Sequence, residues 1–163
     1  MHGKRMRRTA MALALLAGSA LAASAQETLT VGANIGNVPW EFQDDAGQFV
    51  GFEIDLVAAV ADRMGAEVET VNIPFNGLFS AVQSGRIDIA TSSITITDER
   101  LESVTFAQPY YDSDQSLTAL AEGPKSLAEM KDKVVGVDTG STGDMWATEN
   151  QAEYGFADIR RYE

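Results

Sequence analysis

The 163-residue chain, 45% apolar and 22% charged, has room for one medium domain or two small ones of ordinary globular composition. It has no cysteine and one histidine, His2, which excludes disulfides, thiolate nucleophiles, Cys/His zinc sites and Ser-His-Asp triads; no stretch has calcium-loop spacing, so neither metal nor cofactor is expected. Twenty-four acidic residues against 12 basic ones give a formal net charge of −12, which disfavours nucleic acid and anionic membrane surfaces as partners.

Residues 1–25 have the make-up of an export signal. Lys4, Arg5, Arg7 and Arg8 form a basic start, and residues 10–21 form a small apolar run well short of the roughly 20 needed to span a bilayer. Ala23-Ser24-Ala25 then fits the small-residue cleavage pattern before Gln26. Thr9, Ala10 and Met11 follow the arginine pair without a bulky apolar pair, so general secretion is expected over the twin-arginine route. Cleavage would remove four basic residues and no acidic one. With no cysteine for a lipid anchor and no later span, the expected compartment is a Gram-negative periplasm.

Downstream, short β-rich runs alternate with amphipathic ones, the pattern of an α/β fold with a largely parallel sheet. Residues 29–33 read as a strand, and residues 41–50 as a hairpin turning on Asp44 and Gly47. A helix is predicted over 54–64 with Ile54, Val57, Ala58, Ala61 and Met64 on one face and Gly65 as its stop. A strand over 67–73 follows, then a helix over 77–84 capped by Asn76, with Leu78, Ala81 and Val82 inward and Gly85 ending it. Residues 87–90 form a short strand that runs into a hydroxyl-rich stretch, and Asp98 to Leu101 read as a first helical turn. Residues 116–121 are expected as a connecting strand. Gly123-Pro124 punctuates the chain, which places a boundary at 119–124. Beyond it come a short helix capped by Ser126, a strand over 134–137, and a Gly- and hydroxyl-rich loop leading into a helix with Met145, Trp146 and Ala147.

Three constellations can carry chemistry. Ser92-Ser93-Ile94-Thr95-Ile96-Thr97-Asp98-Glu99-Arg100 leaves a strand and enters a helix, presenting backbone N–H groups, hydroxyls and a guanidinium that matches a carboxylate. It is either an anion cradle or a structural stretch in which the threonines follow strand propensity, Asp98 caps and Arg100 pairs with Glu99 or Glu102. Among the aromatics, Trp40 and Phe75 lie in Pro-containing loops, where they form either a pocket wall or core. Asp138-Thr139-Gly140-Ser141-Thr142-Gly143-Asp144 is a second anion-binding loop or a plain strand-to-helix turn, and it lacks the lysine and spacing of a P-loop. Carboxylate pairs are too plentiful in so acidic a chain to point anywhere.

Six segments in order, Pro39-Trp40-Glu41-Phe42-Gln43-Asp44, Gly51-Phe52-Glu53-Ile54-Asp55-Leu56, Phe75-Asn76-Gly77-Leu78, Gln83-Ser84-Gly85-Arg86-Ile87-Asp88, Ile94 to Arg100, and Phe106-Ala107-Gln108-Pro109-Tyr110-Tyr111, together resemble the family 3 extracellular solute-binding proteins, the polar amino acid receptors of ABC importers. The resemblance implies the type II periplasmic binding fold, a two-lobed clamshell closing on one amino acid. It assigns 26–119 to the first lobe, 120–124 to the hinge and 125–163 to the start of the second. It also implies that Arg100 holds the ligand α-carboxylate with Thr95 assisting, that Ser92 and Ser93 accept from the α-ammonium, that Phe75 forms an aromatic wall, and that Asp138, Ser141 and Thr142 close from the second lobe. Asn37 stands where many relatives carry an aromatic residue, so Trp40 either substitutes for that stacking group or is core.

The resemblance further implies a monomer that delivers its ligand to an ABC permease in the inner membrane and is not an enzyme. Dehydratases sharing the clamshell, a sensor domain, and a truncated fragment that neither folds fully nor binds are the alternatives, the last because relatives continue past the equivalent of Glu163. Asn34, Glu41, Asp138 and Asp144 lie on candidate pocket loops and no second arginine accompanies Arg100, which favours a neutral polar or cationic amino acid.

Overall fold

A computed structural model describes residues 26–163, so the predicted signal and its cleavage site lie outside the described residues. Strand β1 (Thr28–Ala33) lies at the centre of a parallel sheet, between β4 (Glu67–Asn72) and β5 (Ile89–Ala90), with Val31 in register with both Thr70 and Ile89. Its middle residue must be small: a Cβ on Gly32 would sit 2.5 Å from the Ile87 side chain. That close approach lets Ile73, Phe75, Leu78, Ala81 and Ile87 form one buried cluster against the sheet.

The hairpin forms as predicted from β2 (Phe42–Gln43) and β3 (Phe49–Val50), its turn held by the Asp44 carboxylate accepting from the N–H groups of Ala46 and Gln48 at 2.9 and 2.8 Å. Helix α1 (Phe52–Met64) follows, and Gly65 ends it in the left-handed conformation. Its buried stripe is rotated from the predicted face. Glu53 and Ala61 are buried and Val57 is half-buried, whereas Ala58 is exposed and Met64 is 66% exposed. The hydrogen bonds that draw Glu53 inward set the helix rotation, so the stripe runs at 53, 57 and 61. Met64 projects past it because the Gly65 turn brings Ala66 inward instead.

Helix α2 (Phe75–Gln83) starts earlier than predicted, with Pro74 at its N-cap. Asn76 therefore sits inside the first turn and caps nothing; its side chain donates to Glu163 Oε1 at 3.1 Å. Burial of Phe75 explains the early start, since the helix must begin there to turn that ring into the core. The single-turn helix α3 (Asp98–Leu101) is capped by Thr97, not Asp98, through the Arg100 N–H.

Residues 102–126 contain no helix or strand, so the connecting strand expected at 116–121 does not form. An isolated extended run is no strand until a neighbour pairs its N–H and C=O groups, and none does so among the described residues. A 3-10 turn (Leu127–Met130) comes next, with Ser126 at its N-cap position, but that hydroxyl lies 3.4 Å from Glu129 Oε1 and caps no backbone N–H. Strand β6 (Val134–Asp138), helix α4 (Thr142–Tyr154) and strand β7 (Asp158–Tyr162) make a βαβ unit with its two strands parallel. Met130, Val135, Ala147, Phe156 and Ile159 form its separate core. Strand β7 is not evident in the sequence, because only Ile159 of its five residues is buried. No helix among the described residues is long and apolar enough to cross a membrane.

One junction fixes the start of α1. The Phe52 and Glu53 N–H groups donate to the Pro39 and Trp40 carbonyls at 3.0 and 2.9 Å, which brings Glu41 and Glu53 together in the interior. Gly51 makes this possible: its φ is +129°, and a Cβ there would lie 2.3 Å from the Trp40 carbonyl oxygen. Gly51→Ala is expected to lower stability in urea titrations by about 3 kcal/mol, from backbone strain plus overpacking; an unchanged midpoint would contradict this close approach.

Candidate functional site

A cavity of about 1190 Å³ opens beyond the carboxyl ends of β1, β5 and β6. Strand β1 sends its two sheet neighbours to opposite sides, so this crevice lies at the switch point where open α/β sheets bind ligands. Asn37, Phe75, Ser92, Ser93, Thr95, Arg100, Asp138, Ser141 and Thr142 all line it.

Arg100 is 5% exposed, reached from the first turn of α3. Its guanidinium stacks over Phe79 and Phe75, with Cζ 4.9 and 5.5 Å from the ring centroids, and donates to the carbonyls of Thr95 at 2.8 Å and Gly140 at 3.1 Å. The structural reading in which Arg100 pairs with Glu99 or Glu102 does not hold: the ion pairs among the described residues are Arg160–Asp158 and Arg161–Asp144. Burial lowers the Arg100 pKa and the Glu99 charge partly restores it. A guanidinium carries five N–H donors, so this buried cation, with no counter-ion, keeps donors to spare beside the cavity.

The hydroxyl corner that precedes it is fully engaged. Ser92 Oγ donates to Glu41 Oε1 at 2.8 Å and accepts from the Asn34 N–H at 3.2 Å. Ser93 Oγ lies 3.0 Å from Glu53 Oε1 and accepts from Asn37 Nδ2 at 3.1 Å, with its backbone held at φ +48°. From the other side, Thr142 Oγ1 lies 3.2 Å from Thr95 Oγ1, and Asn34 Nδ2 donates to Asp138 Oδ2 at 3.3 Å. Ser141 caps α4 by accepting from the Asp144 N–H. Burial raises the Asp138 pKa against the lowering effect of its Asn34 and Thr139 donors.

Two of the four candidate specificity residues are not presented to a ligand. Glu41 is 0% exposed. Asp144 is committed to Arg161, to the Gly140 N–H and to Thr148. Phe75 is buried beneath the guanidinium, edge-on to Phe79, so it supports Arg100 more than it walls the cavity. Trp40 packs edge-on against Tyr111 and Phe52, with centroids 4.6 and 5.5 Å away.

The feature that sequence reasoning missed is the pair of carboxyls behind the hydroxyl corner. Burial, then the Glu53 charge, pushes Glu41 up to about 8. The Tyr110 hydroxyl donates to Glu53 Oε1 at 2.7 Å, and burial followed by that bond raises the phenol. Each glutamate follows a bulky aromatic in its own motif, Trp40-Glu41 and Phe52-Glu53, and that repeated placement is the signal that could have singled them out among 24 acidic residues.

Residues 29–153 match the sequence model of the bacterial extracellular solute-binding proteins, family 3. The lysine/arginine/ornithine-binding periplasmic protein of Escherichia coli (strain K12) is 35% identical over 150 residues, covering 88% of this chain and 58% of its own. Among solved structures, an ancestral arginine-binding protein bound to arginine superposes with a TM-score of 0.73 at 33% identity, over 84% of this chain and 61% of that one. An ancestral amino acid-binding protein described as a precursor of cyclohexadienyl dehydratase gives a TM-score of 0.72 at 35% identity, over 83% and 60%. The chain thus spans about 60% of the length of these relatives.

The Asp144 cluster has a checkable energetic consequence. Burial pushes the carboxyl up, but Arg161, the Gly140 N–H and Thr148 outweigh it and hold it below the ordinary 3.8. A depressed carboxyl contributes stability that is present above the ordinary value and lost as pH falls through the folded one. Arg161 is 43% exposed, so Asp144→Asn should cost only about 1 kcal/mol at pH 7. Urea titrations should show that cost shrinking toward pH 3; a cost independent of pH would contradict the ionised pairing.

Proposed function

Because the chain belongs to the bacterial extracellular solute-binding proteins of family 3 and carries their type II periplasmic binding protein fold, we propose that it captures a polar amino acid in the periplasm for import by an ABC-type permease. The observation that carries this reading is Arg100, a buried guanidinium without a counter-ion among the described residues, at the edge of a ligand-sized cavity. An amino acid α-carboxylate supplies the missing anion and takes the unused N–H donors in a charge-assisted contact. Two of the relatives named above are a lysine/arginine/ornithine-binding protein and an arginine-binding protein.

The cavity chemistry favours a neutral polar or cationic side chain. Arg100 is the only cation among the described lining residues, against five acidic ones, Glu41, Glu53, Asp112, Asp138 and Glu163. Asp138, facing in from the end of β6, is the candidate acceptor for a ligand ammonium.

Closure is read as a population shift. Residues 26–119 form one lobe, 125–163 belong to the other, and 120–124 act as the hinge. Arg100 to Gly140, Thr95 to Thr142 and Asn34 to Asp138 are the contacts that bridge the cleft, and a ligand touching both sides adds to them only in the closed state. The protein acts as a monomer and performs no chemistry on its ligand. Support for a receptor over a dehydratase comes from Glu41: although it borders the cavity, its carboxyl, raised to about 8, is 0% exposed and engaged by Ser92 and Asn37, so its proton is not open to a substrate.

Titration calorimetry of the chain against the twenty amino acids should find one or a few neutral polar or cationic binders. Arg100→Ala should weaken that binding by about 100-fold or more, the scale for removing one partner of a buried ion pair, while circular dichroism shows the fold retained. Affinity kept by this variant would overturn the assignment.

A further inference from the structure

The corner that leads into the site consists of three consecutive hydroxyl residues, and each hydroxyl is tied to one of two buried carboxyls. Thr91 Oγ1 donates to Glu53 Oε2 at 2.8 Å, Ser92 Oγ to Glu41 Oε1 at 2.8 Å, and Ser93 Oγ to Glu53 Oε1 at 3.0 Å. The Ser93 N–H adds a fourth tie, to Glu53 Oε1 at 2.8 Å. That bond holds Ser93 at its positive φ, a conformation a serine adopts only when its surroundings impose it. Two residues on comes Thr95, whose carbonyl orients Arg100.

Both carboxyls are 0% exposed, and no cation neutralises either one: the ion pairs among the described residues lie elsewhere. Glu53 has four donors, including Tyr110. Glu41 differs. Its Oε1 accepts from Ser92 and Asn37, but its Oε2 is the one buried side-chain polar atom among the described residues with no donor. A bare carboxylate oxygen left so would be costly, whereas a protonated one facing a second carboxylate is a donor with an acceptor.

We propose that Glu41 and Glu53 are positioning residues, a buried carboxyl pair that shares one proton and in that state fixes the Thr91–Ser93 corner of the ligand cavity; this rests on the amino acid reading given above. Removing the proton leaves two like charges side by side in the interior. One carboxylate must then withdraw, and it takes its hydroxyl partners out of register with Thr95 and Arg100.

The groups facing the pair are few. Tyr110 approaches Glu53 from the 102–126 segment, Asn37 approaches Glu41 from the loop after β1, and Asn34 links Ser92 to Asp138, the next titratable group. Tyr110 is raised and stays a neutral donor, so the titration through mild alkali is that of Glu41, at about 8. A carboxyl raised in the folded state contributes stability that is full below its ordinary 4.5 and is lost as pH rises to about 8. Binding that needs the same proton weakens above that point.

Infrared spectroscopy of the chain between pH 6.5 and 9.5 reads the protonated carboxyl directly through its C=O stretch, and calorimetry with L-arginine reads the coupling. The band should be present at pH 6.5, lost by pH 9.5 and absent in Glu41→Gln, whose amide mimics the protonated acid. The ratio of wild-type to Glu41→Gln dissociation constants should rise about tenfold from pH 8 to 9, the ligand ammonium titrating alike in both. Ser92→Ala, which removes a donor that favours the charged form, should keep the band to higher pH and tests the pair should Glu41→Gln fail to fold. A missing band in the wild type, a band that survives Glu41→Gln, or a flat ratio with L-arginine bound would overturn the pair and leave the amino acid reading standing. A band that behaves as described with no amino acid bound at any pH would overturn the amino acid reading, and the coupling with it.

Discussion

A buried guanidinium with no ion-pair partner among the described residues is the constraint on which the rest of this structure turns. Taking a charge out of water costs several kcal/mol even after relaxation, and Arg100 recovers part of that from the faces of Phe75 and Phe79 and from two carbonyls. Those partners come from three places: the first turns of α2, the loop after β5, and the loop between β6 and α4. Each must be in position for the cation to be tolerable, and none of them neutralises it. The arrangement leaves guanidinium N–H donors without a carboxylate partner among the described residues, and the proposed amino acid ligand would supply one.

The second requirement is a loop that approaches Arg100 in one geometry. The hydroxyl corner gets it from two buried carboxyls at the cavity's inner edge. The interlock of the Trp40-Glu41 and Phe52-Glu53 motifs through backbone hydrogen bonds sets the two carboxyls side by side, and Gly51 leaves the space for that contact. The acidic residues that matter most are therefore the hidden ones. An excess of surface carboxylates explains the net charge, while two buried carboxyls shape the site.

The regular elements were legible in the sequence wherever a local signal sufficed. Gly65 stops α1, the Asp44–Gly47 turn makes its hairpin, and β1, β4 and β6 announce themselves by β-branched runs. The nine residues expected at the site all line one cavity, because ordered motifs carried them together. What escaped depended on partners far along the chain. Glu53 turns inward for Thr91, Ser93 and Tyr110, residues 38 to 57 positions away, and in doing so rotates the buried face of α1. Strand β7 is mostly charged and forms only because β6 offers it an edge. Residues 116–121 have strand-like composition but no edge to join.

The central claim is that Arg100 awaits a carboxylate, and changing the ligand tests it without disturbing the protein. Calorimetry at pH 6.5 with L-arginine and with its α-carboxamide compares two ligands that differ only in that group. The account predicts that the amide binds about 100-fold more weakly, since it leaves the guanidinium without its counter-charge. Equal affinity for the two would contradict it.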